Sequence, residues 1–527
     1  MRPGLWHPPI ELSAAEQKIV KLIKRAKLFV FLRQVRHELF DEEFQQALAQ
    51  MYADKPKGHP PVFPALLCLA ILLQAYTGAS DDEAIEALSM DRRWQLVLDC
   101  LDCEQAPFAK GTLVEFRALL IQHEMDRQLV ERTIALAQKR GGFSSRSLRA
   151  ALDSSPLWGA GKVEDTYNLL GHALRKALSV IARQQGRELT EIATAAGASM
   201  LGASSVKAAL DLNWDDPQER QVALALTLQT LTQVEAWTAE QALAASFPQA
   251  APVQQSLSVA QQIVAQDVET SEAGTLQLKQ GVSKDRRISI EDAQMRHGRK
   301  SQQQRVDGYK RHLLSDLDCG LIRAVGVTPA NLPEASVTDA ISLDLEQQQI
   351  QLSELYIDRA YLSSSWVKHR PPELTIYCKA WPVRTCTNQF PKTAFTLDWE
   401  AQTLTCPNQV QMPLRLGKTI RFPKARCVDC PLKEQCTSAK HGRSVTIHPD
   451  EQFMNELRQR QLSPQGRAKL RERTAVEHAL AHVGHWQGDR ARYIGLRKNL
   501  FDLRRMAIIH NLHVIARLSD ALQSKAS

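Results

Sequence analysis

The chain has 527 residues, a formal charge of +8 and a hydrophobic content of 44%, material for two to four ordinary domains. Its longest strongly apolar run, Leu66–Tyr76, is far shorter than the roughly 20 residues that span a bilayer. Residues 1–10 lack the charged-then-apolar layout of a secretion signal. These features predict a soluble, cytoplasmic protein.

Charge distribution says more than net charge. Between Lys279 and Arg311 ten Lys or Arg face four Asp or Glu, and between His485 and Arg505 six face two. Clustered cations of this kind suit a phosphate backbone, although a solvated face reads the same way.

In chain order, residues 12–138 predict helices, with apolar positions three and four apart such as Ile19, Leu22, Ile23 and Ala26. Residues 55–64 predict a rigid turn before a helix over Ala65–Tyr76. Ser80 with Glu83, and Thr112 with Glu115, have capping-box spacing and predict helix starts. Two helices joined through Gly78 fit a helix-turn-helix, and equally any helical bundle. Arg149–Asp153 predicts a short strand ending in an acid, followed by a loop with Gly159 and Gly161. Residues 166–266 predict Ala- and Leu-rich helices without chemistry. Asp307–Ser315 and Leu321–Thr328, joined by Asp318-Cys319-Gly320, predict a hairpin. A helix over Pro333–Leu345, a strand ending at Asp358 and a strand over Thr375–Lys379 follow. Residues 381–450 are rich in Pro and Cys, and residues 465–522 are helical again.

Asp153, Asp358 and Glu477 are the acids that can converge from two strand ends and a helix face. Such a set suits two Mg²⁺ ions, which prefer carboxylate oxygen and act on both the attacking and the leaving oxygen of a phosphodiester. Singly, each acid reads equally as a turn, a cap or a solvated residue. Cys406, Cys427-x-x-Cys430 and Cys436 offer four thiolates for tetrahedral Zn²⁺, or are reduced thiols in a small β-domain. Cys100-x-x-Cys103 reads as helix-end residues. Trp486 reads as a core residue, with base stacking as the alternative.

Several segments together resemble the DDE transposases of bacterial insertion sequences. Asp358-Arg359-Ala360-Tyr361 looks like their second-Asp motif, and Leu152-Asp153-Ser154-Ser155 like their first-Asp strand. Arg473-x-x-x-Glu477 resembles their Arg-x-x-x-Glu signature, and Arg490–Asn499 their basic segment after it. Met295–Ser301 and Asp307-Gly308-Tyr309-Lys310 resemble the approach to the second strand. The Cys427-Val428-Asp429-Cys430-Pro431-Leu432 block recurs in one subgroup, the eleven-eighty-two insertion-sequence family. The chain departs from the signature at Leu470 and Gly484, where the family often has Tyr and Lys. Arg490 or Arg492 are candidates to take over the basic role.

The resemblance implies an α/β, ribonuclease-H-like core with a helical N-terminal domain, a helical insertion and a small Cys-rich β insertion. The implied division is a DNA-binding region at 1–145, a first core strand at 146–164 and a helical insertion at 165–284. The core continues at 285–380, with the Cys-rich insertion at 381–464 and a catalytic helix with a basic segment at 465–527. It implies Mg²⁺ (or Mn²⁺) on Asp153, Asp358 and Glu477, with Arg473 contacting phosphate or orienting Glu477. DNA-backbone contacts are expected at His297, Arg299, Lys300, Lys310, Arg492, Arg497 and Lys498. The implied partners are duplex DNA, as terminal inverted repeats and target, and a second copy in a homodimer, with nucleoid association when bound. A metal-dependent nuclease without strand transfer, and a transposase-derived DNA-binding regulator, are the rival readings.

Overall fold

The computed structural model describes residues 2–526 except 55–59, 104, 141–146, 243–249, 273, 301–302 and 384–387. Half of the expected turn over 55–64, together with Ser301 and Cys386, therefore lies outside the described residues.

Six strands form the central sheet: β1 (Ser147–Trp158), β2 (Arg296–Arg299), β3 (Arg305–Asp316), β4 (Ile322–Pro329), β5 (Gln351–Tyr356) and β6 (Thr375–Tyr377). Strand β3 pairs antiparallel with β1 on one side and with β4 and the short β2 on the other. Strand β5 runs parallel to β1, and β6 parallel to β5. The expected hairpin is β3–β4, closed by Asp316, whose Oδ1 accepts the amides of Asp318 and Cys319.

Both faces of this sheet are covered, which is why Ala150-Ala151-Leu152 and Leu313-Leu314 read as unbroken apolar runs. Successive residues point to opposite faces. Leu152, Leu314, Ala324 and Leu355 pack on Val337 and Ile341 around helix α2 (Thr338–Gln347). Its expected start at Pro333 is a 3-10 turn, Glu334–Val337, that leads into it. Ala151, Leu313 and Tyr356 face Val476, Ala479, Leu480 and Val483 of helix α3 (Thr474–Gln487) and the long helix α4 (Leu496–Ala526).

The N-terminal helices join this second core. Helix α1 (Pro64–Thr77) has proline at its first turn, and left-handed Gly78 ends it. Its residues Pro64–Ala75 are all buried, as expected of a helix apolar on every side. Ser80 and Glu83 form the expected capping box of the next helix, Asp81–Met90. Thr112 does not cap: the helix Lys110–Gln122 begins two residues earlier, with Ala109 at its N-cap. The burial of Phe108 beside that start outweighs the local cap signal. Leu32, Leu72, Trp94 and Phe116 share one core with Phe501, Ile508 and Leu512 of α4.

Two other regions have cores of their own. Between β1 and β2, helices Thr166–Gln185, Leu189–Ala195, Pro217–Ala242 and Ala250–Asp267 close on Leu170, Leu174, Ile181, Val234 and Ile263. Between β6 and α3, five three-residue strands form a three-stranded and a two-stranded sheet around Phe395, Leu404, Phe422 and Val445.

Candidate functional site

Asp153 does not end its strand: β1 continues to Trp158, held by pairing with β3 out to Gly308. What ends near Asp153 is the parallel partner. The β1–β5 ladder stops at Ala151↔Tyr356, and carrying that register two residues further sets Asp153 beside Asp358. The close approach of β1 and β3 here depends on Gly308, at φ 153°, where a Cβ would lie 2.5 Å from the Leu157 carbonyl oxygen. Asp358 caps the 3-10 turn Arg359–Tyr361, its Oδ1 accepting the Ala360 amide at 2.7 Å.

Glu477 lies in the first turn of α3, where the helix dipole favours a carboxylate. Arg473 sits at the junction between the helix Pro464–Glu472 and α3. Its guanidinium bridges two of the acids, donating from Nη1 to Asp153 Oδ2 at 2.5 Å and from Nη2 to Glu477 Oε1 at 2.6 Å. Asp153, Asp358, Arg473 and Glu477 all line one cavity of about 630 Å³. The structure thus brings all four together, from positions 153 to 477.

The same cavity holds an acid that sequence reasoning missed, Glu334. It stands at the start of the 3-10 turn before α2. Burial, then the neighbouring Asp358, raises its pKa, while Lys310 and the Ser154 hydroxyl oppose the rise. Burial likewise raises the Asp153 pKa against the pull of Arg473, with Asp358 adding to the rise. Burial lowers the Lys310 pKa, against Glu334 and Asp358. No local signal marked it: Glu334 comes five residues after β4 ends at Pro329 and reads as an ordinary residue at a helix start.

Beneath the acids lies a buried polar layer. His312 bonds the Tyr361 hydroxyl through Nδ1 at 2.9 Å and Thr328 through Nε2 at 3.0 Å. Burial pushes its pKa down to about 3, so it is a neutral strut that fixes Tyr361.

The other expected residues divide. Arg299, Lys300 and Lys310 line the cavity, and the first two are exposed. His297 bonds Asp307 Oδ1 at 2.5 Å, and burial holds its pKa below the usual histidine range. Arg492 donates to the Ala79 carbonyl at 2.6 Å, and Lys498 is exposed. Arg497 instead grips buried Asp126 at 2.6 Å and the Ile121 carbonyl at 2.7 Å, a tie between the N-terminal helices and α4. Trp486 stacks on His513, 5.0 Å away and 11° from parallel, the core reading. The helix after Gly78 carries Asp81, Asp82, Glu83 and Glu86, an acidic face unsuited to a phosphate backbone.

Cys406, Cys427, Cys430 and Cys436 line one small cavity of the Cys-rich region. The Val410 amide donates to Cys406 Sγ at 3.4 Å. Among the described residues, however, no three His, Cys, Asp or Glu side chains form a ready-made metal group, so the Zn²⁺ expectation is not met as the thiols stand. Burial raises the Cys436 pKa, Arg443 opposes the rise, and the other three thiols add to it. The carboxylates of the large cavity are not closed on one point either, because Arg473 lies between two of them.

An acid-lined cavity flanked by cations on a mixed α/β sheet offers oxygen donors beside groups that attract phosphate. Comparison with known families gives the class. A Transposase DDE domain matches residues 265–395, a second Transposase DDE domain matches 405–516, and a Transposase domain matches 19–119. The chain thus carries the domains of a DDE transposase, an enzyme of metal-dependent DNA cleavage and transposition. Asp358 and Glu477 fall inside matched segments, whereas Asp153 falls between them. No curated protein and no solved structure matches the chain. No helix among the described residues is long and apolar enough to cross a membrane.

Proposed function

We propose that the protein is an insertion-sequence transposase with a ribonuclease-H-like core. In this reading it nicks DNA at the element's terminal inverted repeats and joins the freed 3′ ends to target DNA. The observation that carries the reading is the convergence of Asp153, Asp358 and Glu477 on one cavity, each from a different element of the β4–β3–β1–β5–β6 sheet and its covering helix.

The donor set fits Mg²⁺ or Mn²⁺: the groups are carboxylate oxygens, and two of them already hold a cation, the Arg473 guanidinium. Two such ions stabilise the attacking and leaving oxygens of an in-line displacement. The chain's own part is positional. The β1–β5 register fixes the two aspartates, and the first turn of α3 presents Glu477. Arg473 screens the acids from one another, and with metal held by those acids its donors would be free for phosphate. Lys310, Arg299 and Lys300 border the cavity where the strand backbone enters. The core is interrupted by the helices of 165–284 and the Cys-rich region of 381–464, where Cys406, Cys427, Cys430 and Cys436 are the residues that would hold a structural Zn²⁺.

The test is cleavage and strand transfer on duplexes bearing the inverted repeats that border the gene. Asp153→Ala, Asp358→Ala and Glu477→Ala should each abolish both steps and leave repeat binding nearly intact, because these groups act on the transition state rather than hold the duplex. Cleavage that survives Asp358→Ala would refute the assignment. Cleavage without joining would favour the nuclease reading.

A further inference from the structure

Among the described residues, Arg311 is the one cation of the cavity that no motif accounts for. It lies on β3 opposite Ser155 of β1, on the sheet face that carries Asp153. Its side chain is only 4% exposed, yet it lines the cavity together with Asp153, Asp358 and Glu477. Three hydrogen bonds fix it: Nε to Ser155 Oγ at 2.7 Å, and Nη1 to Gln487 Oε1 at 3.0 Å and to the Gly488 carbonyl at 2.8 Å. Gln487 is itself held, donating to Asp502 Oδ2 at 3.1 Å.

The remaining corner, Nη2, has as its acidic neighbour Asp489 Oδ1 at 3.8 Å, on a side chain 93% exposed. That is beyond hydrogen-bond distance, and so exposed a carboxylate holds a cation weakly. Room for Nη2 comes from α3: a Cβ at Gly484 would stand 3.1 Å from it. A guanidinium locked at two corners, with the third beside Gly484 and Asp489 on the wall of an acid-lined cavity, is a preorganised donor for an anion.

We propose that Arg311, with Gly484 as the gap that admits it, forms a subsite for one backbone phosphate of the DNA strand lying across the acids. It deepens the transposase reading: the cavity then holds a phosphate from both sides, with metal on the acids and Nη2 opposite. Arg311 positions the strand and takes no part in bond breaking.

The experiment measures binding without divalent metal. The probes are duplexes carrying the bordering repeats, with a neutral methylphosphonate placed at one phosphate at a time across the cleavage junction. In the unaltered protein one such position should cost about tenfold in affinity, the scale of a charge-assisted hydrogen bond. Arg311→Gln should cost about as much, lower the salt slope by about one, and make that same methylphosphonate cost nothing further. Adding Gly484→Lys to Arg311→Gln should restore affinity, because the shorter side chain leaves space for a cation from the helix. Gly484→Ala keeps the three fixing bonds but presses on Nη2, and it reads the same phosphate if Arg311→Gln does not fold. An unchanged phosphate dependence in whichever of these variants folds overturns the proposal. Asp358→Ala, run alongside, separates the two readings: continued cleavage there would sink the catalytic assignment and leave the phosphate subsite standing.

Discussion

Arg473 is the group whose removal tests the electrostatics of the cavity most directly. Arg473→Gln leaves Asp153, Asp358, Glu334 and Glu477 around one cavity without the bridging cation. The Asp153 side of the bridge is 15% exposed, and losing a charged hydrogen bond there costs about 1.5–3 kcal/mol. The Glu477 side is 49% exposed and adds at most about 1 kcal/mol, screened by solvent. A deficit of about 1.5–4 kcal/mol near neutral pH is therefore expected. Asp153 already has a folded pKa above its ordinary value, from burial, and loss of Arg473 raises it further. A group that binds its proton more tightly when folded lowers stability as pH rises through the unfolded pKa. The deficit should thus be smallest below the ordinary aspartate pKa of about 3.9, where Asp153 binds its proton folded or unfolded, and should grow as pH rises through it towards 7. Chemical denaturation with and without Mg²⁺ reads this out: metal should narrow the deficit by replacing the lost cation. A deficit equal at pH 4 and pH 7, or indifferent to Mg²⁺, would refute the reasoning.

Glu334→Gln should weaken Mn²⁺ binding measured by calorimetry and slow cleavage, less than Asp358→Ala does, because it borders Asp358 without sharing the β1–β5 register; unchanged metal affinity would exclude it from the site. Arg497→Ala should lower stability by about 1–3 kcal/mol, leaving buried Asp126 with Arg504 at 3.1 Å, and should leave the salt dependence of DNA binding alone. Lys498→Ala should do the reverse, reducing the salt slope by about one without a shift in melting. Protein purified without chelators should carry about one zinc per chain if the four cysteines close on an ion, and metal analysis finding none would reject that site.

Much of the site was legible because its acids follow apolar strands. Asp153 and Asp358 stand out where Ala150-Ala151-Leu152 and Leu355-Tyr356-Ile357 give way to polar residues, and the β3–β4 hairpin announced itself at Asp318-Cys319-Gly320. Glu334 and Arg311 were hidden for different reasons. Glu334 resembles an ordinary residue at the start of a helical segment, and only the sheet reveals that its turn leaves the same edge as Asp358. Arg311 sat in a run of cations that reads as solvated surface, and its burial follows from pairing with Ser155, a contact across 156 positions. The end of β1 was misjudged because its pairing with β3 outlasts its pairing with β5. The Thr112 cap signal lost to the burial of Phe108. For Arg497 the sequence showed a charge and could not show Asp126, which lies 371 positions away.

The shared core around α4 has a consequence for the order of events during synthesis. The N-terminal helices and the sheet are joined through Phe501, Ile508 and Leu512, which leave the ribosome after all the elements they hold together. Glu477 also emerges late, long after Asp153. A nascent chain therefore carries two aspartates on an open sheet face, with neither the third acid nor the helix that seals the assembly. On the proposed assignment, competence to cut waits until α3 and α4 dock. On that assignment a chain broken anywhere before α3 is not a weakened nuclease: it lacks the third acid altogether.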